Sequence, residues 1–155
     1  MFKFLRALIL LVLPWIMVSC YDCGPMGEPF VDISLSPKNQ LVRISALGAK
    51  TDSLFRLDTL SSFGYHGQLP ISLLQDSTTF LFYFPNHVDT LTLYYQRVFD
   101  ESKTCGYYND IKAPVRGPSY RSTFPGVHVE YYPYQGSTAP GRYFPRGIHI
   151  NIQNQ

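Results

Sequence analysis

The chain has 155 residues, of which 15% are aromatic and 15% charged, with 12 Pro and 11 Gly. That mixture favours strands and turns over helices, and the length suits one domain. A formal net charge of +2 is no basic footprint for nucleic acid.

The chain opens with Lys3 and Arg6, an apolar run from Ala7 to Val18, and then Ser19-Cys20. Two positive charges, a short apolar core and a small residue before a cut site make a secretory signal over residues 1–19. The run is short of the ~20 residues that a spanning helix needs, and Pro14 near its end fits a cleaved segment. Met17-Val18-Ser19-Cys20 resembles the lipobox of bacterial lipoproteins, with Met17 in place of the usual Leu. Cys20 is therefore the expected lipidation site, and residues 20–29 the tether to a membrane. The alternative leaves Cys20 in the mature fold as a disulfide partner. Removing residues 1–19 leaves 11 Lys/Arg against 11 Asp/Glu, so the basic excess belongs to the signal. The remaining charge is uneven, with five basic residues and one acidic from Lys112 onward.

If Cys20 carries lipid, Cys23 and Cys105 form an even pair in an oxidising compartment and are candidates for a disulfide. Closing so long a loop contributes on the order of 4 kcal/mol in the chain-entropy model. Two free thiols are the alternative. Cys20 and Cys23 have CxxC spacing, but no second pair follows, so no zinc site or redox motif is expected.

Residues 30–155 read as one domain. Alternation marks Phe30–Leu35 and Leu41–Leu47 as strands, with Ser53–Leu57 and Leu69–Leu74 as shorter ones. Thr78–Phe84 and Thr90–Phe99 read as a hairpin around Pro85-Asn86-His87. Val127–Tyr132 and Ile148–Ile152 alternate cleanly, with His128 and Glu130 on the polar side of the first and His149 and Asn151 on that of the second. Sustained helical periodicity is absent. The expected fold is all-β, an Ig-like or transthyretin-like β-sandwich of about seven or eight short antiparallel strands. Residues 133–147 read as a long Pro/Gly/Tyr-rich loop.

This layout resembles an uncharacterised family of small Bacteroidetes lipoproteins, a domain of unknown function. The resemblance is carried by Cys20, Thr51-Asp52-Ser53-Leu54-Phe55, Leu69-Pro70-Ile71, Asp76-Ser77-Thr78-Thr79-Phe80, Asp89-Thr90-Leu91-Thr92-Leu93, Tyr95, Cys105-Gly106 and Ile148-His149-Ile150. It implies a lipoprotein and no particular catalytic or binding residue. The chain also contains four triplets of the Asp-Ser/Thr-apolar or Asp-Ser/Thr-Thr kind at which Bacteroidetes O-glycosylate exported proteins, centred on Ser53, Thr59, Ser77 and Thr90. Turn chemistry before a strand is the competing explanation of these triplets.

No phosphate loop, nucleophile elbow or HExxH helix is present, so the expectation is a protein that is not an enzyme and needs no cofactor. His128, Glu130 and His149 are able to meet across a sheet, yet polar residues facing solvent explain them equally, and no metal site is expected. Tyr120, Arg121, Tyr132, Tyr134, Arg142 and Tyr143 form the candidate binding surface, since Tyr and Arg often anchor interfaces. The alternative is a Tyr-rich core with solvated arginines. The resulting expectation is a lipid-anchored accessory or protein-interaction module of a bacterial envelope, held to the outer membrane and facing the periplasm. Binding of a glycan or small ligand is the second reading.

Overall fold

The computed structural model describes residues 28–36, 40–49, 58–60, 64–102, 106–134 and 147–153. The signal, most of the tether, Cys20, Cys23, Ser53, Cys105, Arg142 and Tyr143 lie outside these residues. Within them every regular element is a strand: β1 (Phe30–Ser36), β2 (Arg43–Leu47), β3 (Asp58–Leu60), β4 (Gly64–Pro70), β5 (Ser77–Tyr83), β6 (Val88–Tyr94), β7 (Gln96–Ser102), β8 (Gly106–Lys112), β9 (Tyr120–Ser122), β10 (Val127–Tyr132) and β11 (Gly147–Gln153). None of the described residues belongs to a helix long and apolar enough to cross a membrane.

The strands form a five-stranded sheet in the order β10-β11-β1-β4-β3, a four-stranded sheet in the order β2-β5-β6-β9, and a two-stranded ribbon of β7 and β8. The fold is all-β and sandwich-like, as the composition implies. Two details differ from expectation. There are eleven described strands rather than seven or eight. And β1 pairs with β11 in parallel, Val31 opposite Ile148 and Leu35 opposite Ile152, within otherwise antiparallel sheets.

Period-2 alternation decides which side chains meet. Val31, Ile33 and Leu35 of β1, Leu69 of β4 and Ile148, Ile150 and Ile152 of β11 turn inward from the larger sheet. Ile44 and Ala46 of β2, Phe80 and Phe82 of β5 and Leu91 and Leu93 of β6 meet them from the smaller one. Each large apolar side chain so buried contributes about 1.5–3 kcal/mol. Phe124 closes the open end, edge-on to Phe82 at 5.1 Å.

Tyrosine hydroxyls tie the two sheets together at their margins. On one side the Leu41 N–H donates to the Tyr65 hydroxyl at 3.2 Å. On the other, Tyr120 of β9 donates to Val127 O at 3.0 Å. Beside it, the Tyr131 hydroxyl of β10 donates to Tyr94 O at 2.6 Å and lies 3.0 Å from Ser119 O. Burial pushes the Tyr131 phenol up to about 12, because an anion there would lose its water.

Between β6 and β7, Tyr95 is buried and its hydroxyl donates to Ser72 O at 2.8 Å, 2.7 Å from Thr78 Oγ1. Thr78 Oγ1 in turn accepts the Ser72 N–H at 2.8 Å, so the buried polar groups satisfy one another. Ser72 Oγ also accepts the Leu74 and Gln75 amides, which turns the chain after β4. This turn is why the expected strand Leu69–Leu74 lies instead at Gly64–Pro70. At Tyr95 the expected strand Thr90–Phe99 divides, and the chain leaves the sheet for the ribbon. Arg97 anchors the base of the ribbon, 2.7 Å from Asp76 Oδ1 and 2.9 Å from Leu73 O.

Two glycines in the larger sheet stand where no other residue fits. Gly64 (φ 127°) and Gly147 (φ 99°) both have positive φ, and a Cβ would collide with Leu35 O in the first case and with Phe30 O in the second.

Candidate functional site

The outward face of the five-stranded sheet gathers Asp32, His66, His128, Glu130 and His149. With the inward residues committed to the core, β1 turns Asp32 and Ser34 out, β4 His66 and Gln68, β10 His128 and Glu130, and β11 His149 and Asn151. Pairing aligns them in two neighbouring cross-strand rows. One row runs Glu130, His149, Asp32, Gln68; the next runs His128, Asn151, Ser34, His66. A slip of one residue in β1 or β11 would send these groups into the core, so the hydrophobic pattern fixes the site.

A cleft of about 220 Å³ opens over these rows, lined by Asp32, Ser34, His66, His128, Glu130 and His149 among others. Its lining includes two carboxylates and three imidazoles and no Lys or Arg. Asp32 is the hub. Its Oδ1 lies 3.2 Å from His66 Nε2, and its Oδ2 lies 3.8 Å from His149 Nδ1. The first contact lacks hydrogen-bond geometry, so Asp32 Oδ1 is buried without a hydrogen-bond partner, as is His149 Nε2. His66 Nδ1 is 3.2 Å from Ser34 Oγ. At the outer strand, Glu130 is held by the Tyr132 hydroxyl at 2.5 Å and lies 3.1 Å from His128 Nε2. The Tyr132 bond first, and then His128, hold the Glu130 carboxyl below its ordinary range. The same bond raises the Tyr132 phenol. The Tyr132 ring also meets His149 edge-on at 4.9 Å.

Ser34, His66 and Asp32 stand in the order of a serine hydrolase relay, and the comparison is instructive. Nucleophilic attack is helped by hydrogen-bond donors, backbone or side-chain, aimed at the developing oxyanion. β1 is paired on both sides along its length, so its own amides are directed into the ladders. The misaligned Asp32–His66 contact also lacks the hydrogen bond that orients a catalytic imidazole. The arrangement is suited to holding a polar or cationic group, with carboxylates and imidazoles already in place.

The sequence-derived binding residues are dispersed. Tyr120 is half-buried against the core and Arg121 is exposed on the four-stranded sheet. Tyr132 borders the cleft. Tyr134 instead packs edge-on to Tyr108 at 5.7 Å, its N–H donating to buried Asp110. Ser77 and Thr90 are half-buried on the outward face of β5 and β6, and Thr59 lies in β3. Of the histidine group, His128, Glu130 and His149 do share one face. Asp32 and His66 were missed as members of it. The alternation of β1 marks Asp32 as outward, but no local pattern connects either residue to the C-terminal strands. No group of three described His, Cys, Asp or Glu side chains converges on one point as a ready metal set.

No family model, curated protein or solved structure matches the chain.

Proposed function

We propose that the chain is a lipid-anchored module of a bacterial cell envelope that works by binding rather than by catalysis, with the outward face of the five-stranded sheet as its recognition surface. One observation carries the reading of that face. Asp32, central to a row of polar side chains, keeps a buried oxygen without a hydrogen bond while two imidazoles flank it. An unpaired buried acceptor costs roughly 1–3 kcal/mol, which an incoming donor or cation would recover. The anchor rests on the signal-like segment and Cys20, and the resemblance to Bacteroidetes lipoproteins, carried by Cys20 and short stretches across the mature chain, supports it.

Two experiments test the proposal. A photo-crosslinking residue at Asn151 of the full chain in its native membrane should give a discrete adduct that Asp32→Asn with Glu130→Gln abolishes. The same probe at Thr92, on the opposite sheet, should give none. Equal adducts from both positions, or an ester or glycoside hydrolase activity lost in Ser34→Ala, would overturn the binding reading. Intact mass of the native protein against Cys20→Ala tests the anchor: cleavage before Cys20 with added acyl chains is expected, and an unlipidated mass rejects it. Hexose-sized increments in the same spectrum would show glycosylation, for which Ser53, Thr59, Ser77 and Thr90 are the candidate sites.

Glycan binding is a second reading, favoured by one feature of the ribbon. Phe99 and Tyr107 are 68% and 66% exposed and stack on each other at 5.0 Å with their planes 10° apart. Aromatic faces held open to solvent are platforms for sugar rings. Retention on immobilised envelope polysaccharide that Phe99→Ala removes would support it.

A further inference from the structure

The segment that follows Cys20 enters the sandwich at one end, and the loops gathered there are unlike those at the other. β1 starts at Phe30, opposite Pro70 at the end of β4 and beside Gly147 at the start of β11. The turn from Ser72 to Asp76 follows β4 directly and is tied to Thr78 and Tyr95. The ribbon leaves from the same place, because Arg97 at its base reaches Asp76 and Leu73 O. Its β8 strand passes the end of β10, where Tyr108 and Asp110 meet Tyr134. The loop from Ala113 to Ser119 completes the group, since Ser119 O accepts the Tyr94 N–H at 3.0 Å.

Apolar exposure is concentrated at this end. Among the described residues the four most exposed large hydrophobic side chains are Leu74 (88%), Val115 (79%), Phe99 (68%) and Tyr107 (66%), and all four belong to the turn, the loop or the ribbon. Val42 and Val88 are less exposed and lie at the opposite end, around Tyr83, and Leu47 is on the edge strand β2. Single exposed apolar residues are ordinary, but their collection at one end of a domain is not. Exposed Lys112 and Arg116 flank Val115, and such cations suit anionic headgroups, as an amphipathic tyrosine ring suits the headgroup layer.

We infer that this end docks on the lipid surface that holds Cys20, with Leu74, Val115, Phe99 and Tyr107 as its contacts. The inference rests on the lipid-anchor reading and adds an orientation to it. Cys20 stands ten residues before Phe30, a reach of at most about 35 Å when fully extended. Docking by the opposite end would use most of that reach, because a seven-residue strand such as β1 is itself about 23 Å long. An acyl anchor alone leaves the domain free to tumble, and apolar side chains at the anchored end remove that freedom. The outward face of the five-stranded sheet then stands to the side, clear of the lipid and open to a partner.

The only tryptophan, Trp15, belongs to the signal, so a cleaved chain carries none. Leu74→Trp, Val115→Trp and Phe99→Trp are placed one at a time in the full chain. Each is reconstituted in phosphatidylethanolamine–phosphatidylglycerol vesicles with brominated acyl chains, which quench a tryptophan in contact with lipid. Each should be quenched several-fold more than Val88→Trp at the opposite end, with emission shifted to shorter wavelength. Adding Leu74→Ser and Phe99→Ser to Val115→Trp should weaken its quenching, and far-UV circular dichroism confirms that the variants fold. Quenching that is equal at the two ends, or unchanged by the two serines, overturns the inference. So does polysaccharide retention lost in Phe99→Ala without quenching at Phe99→Trp, which gives the ribbon to a glycan. Intact mass keeps the two readings apart. An acylated Cys20 without preferential quenching keeps the anchor and rejects the docking surface, and preferential quenching of an unacylated chain on added vesicles does the reverse.

Discussion

The two outward faces of the sandwich are built from the same alternation and end up chemically opposite. The five-stranded sheet displays Asp32, His66, Glu130, His128 and His149, whose charges and lone pairs lie within reach of one another. The four-stranded sheet displays Ser45, Ser77, Thr79, Thr90 and Thr92 with Leu81, Tyr83, Arg43 and Arg121. There the polar groups are spent locally: Thr79 and Thr92 hydroxyls pair at 2.9 Å, and Arg43 lies over the Tyr83 ring at 4.1 Å. One face is a satisfied surface and the other an unsatisfied one. The difference separates what a sheet needs in order to fold from what it leaves available to bind.

The largest expected break in this contrast comes from backbone rather than side chains. Gly147→Ala forces a Cβ into Phe30 O at positive φ and should destabilise the fold by about 2–4 kcal/mol, read as a shift in the urea midpoint. It should also disturb the face that β11 helps to form, which nothing on the four-stranded sheet would do.

A smaller loss is expected where the sheets are joined. Tyr131→Phe removes a part-buried donor to Tyr94 O and should cost about 1–2 kcal/mol at pH 7. Its pH signature is specific. A solvated tyrosine ionises near 10, and Tyr131 in the folded state near about 12. Its neutral form is therefore favoured by folding, and that stability is complete below pH 10 and lost as pH rises to about 12. Urea titrations across this window should show a shallower fall in Tyr131→Phe than in the parent chain. Tyr95, also raised by burial, leaves a residual slope.

The smallest effect tests the satisfied face itself. Thr79→Val with Thr92→Val removes both members of a hydrogen bond and keeps their shape, so stability should change by less than about 1 kcal/mol. The Asn151 adduct should be unaffected. Its loss would mean that the two faces are not independent.

Much of this architecture was legible in the sequence wherever one side of a strand is buried and the other wet. Residues 30–35, 78–84, 127–132 and 148–152 announce their strands, and the polar side of the last two announces His128, Glu130 and His149. Other strands were hidden by their composition. Gly64-Tyr65-His66-Gly67-Gln68 alternates nothing, because its inward positions before Leu69 are a tyrosine and a glycine at a margin of the core. β8 has no counterpart among the expected strands because Tyr107 to Asp110 show no apolar stripe, although Asp110 and Ile111 are both buried. Asp32 and His66 remained outside the expected site for a different reason. Their neighbourhood depends on β1 lying between β4 and β11, a choice of partners that no local pattern encodes.

That choice of partners also sets an order of events. Val31 and Ile148 are adjacent in the sheet and about 117 residues apart in the chain, so closing them is the slowest kind of contact to form. The β5–β6 hairpin can zip as soon as its own residues are available. β1, by contrast, finds β4 early and then waits, one edge open, for the residues around Ile150. A chain delivered N-terminus first would therefore remain incompletely folded until the residues around Ile150 had emerged. If the chain is threaded through a membrane, as proposed above, late closure is a kinetic advantage, and in the interval the bare edge of β1 is where a chaperone, or an aggregate, would add its strand.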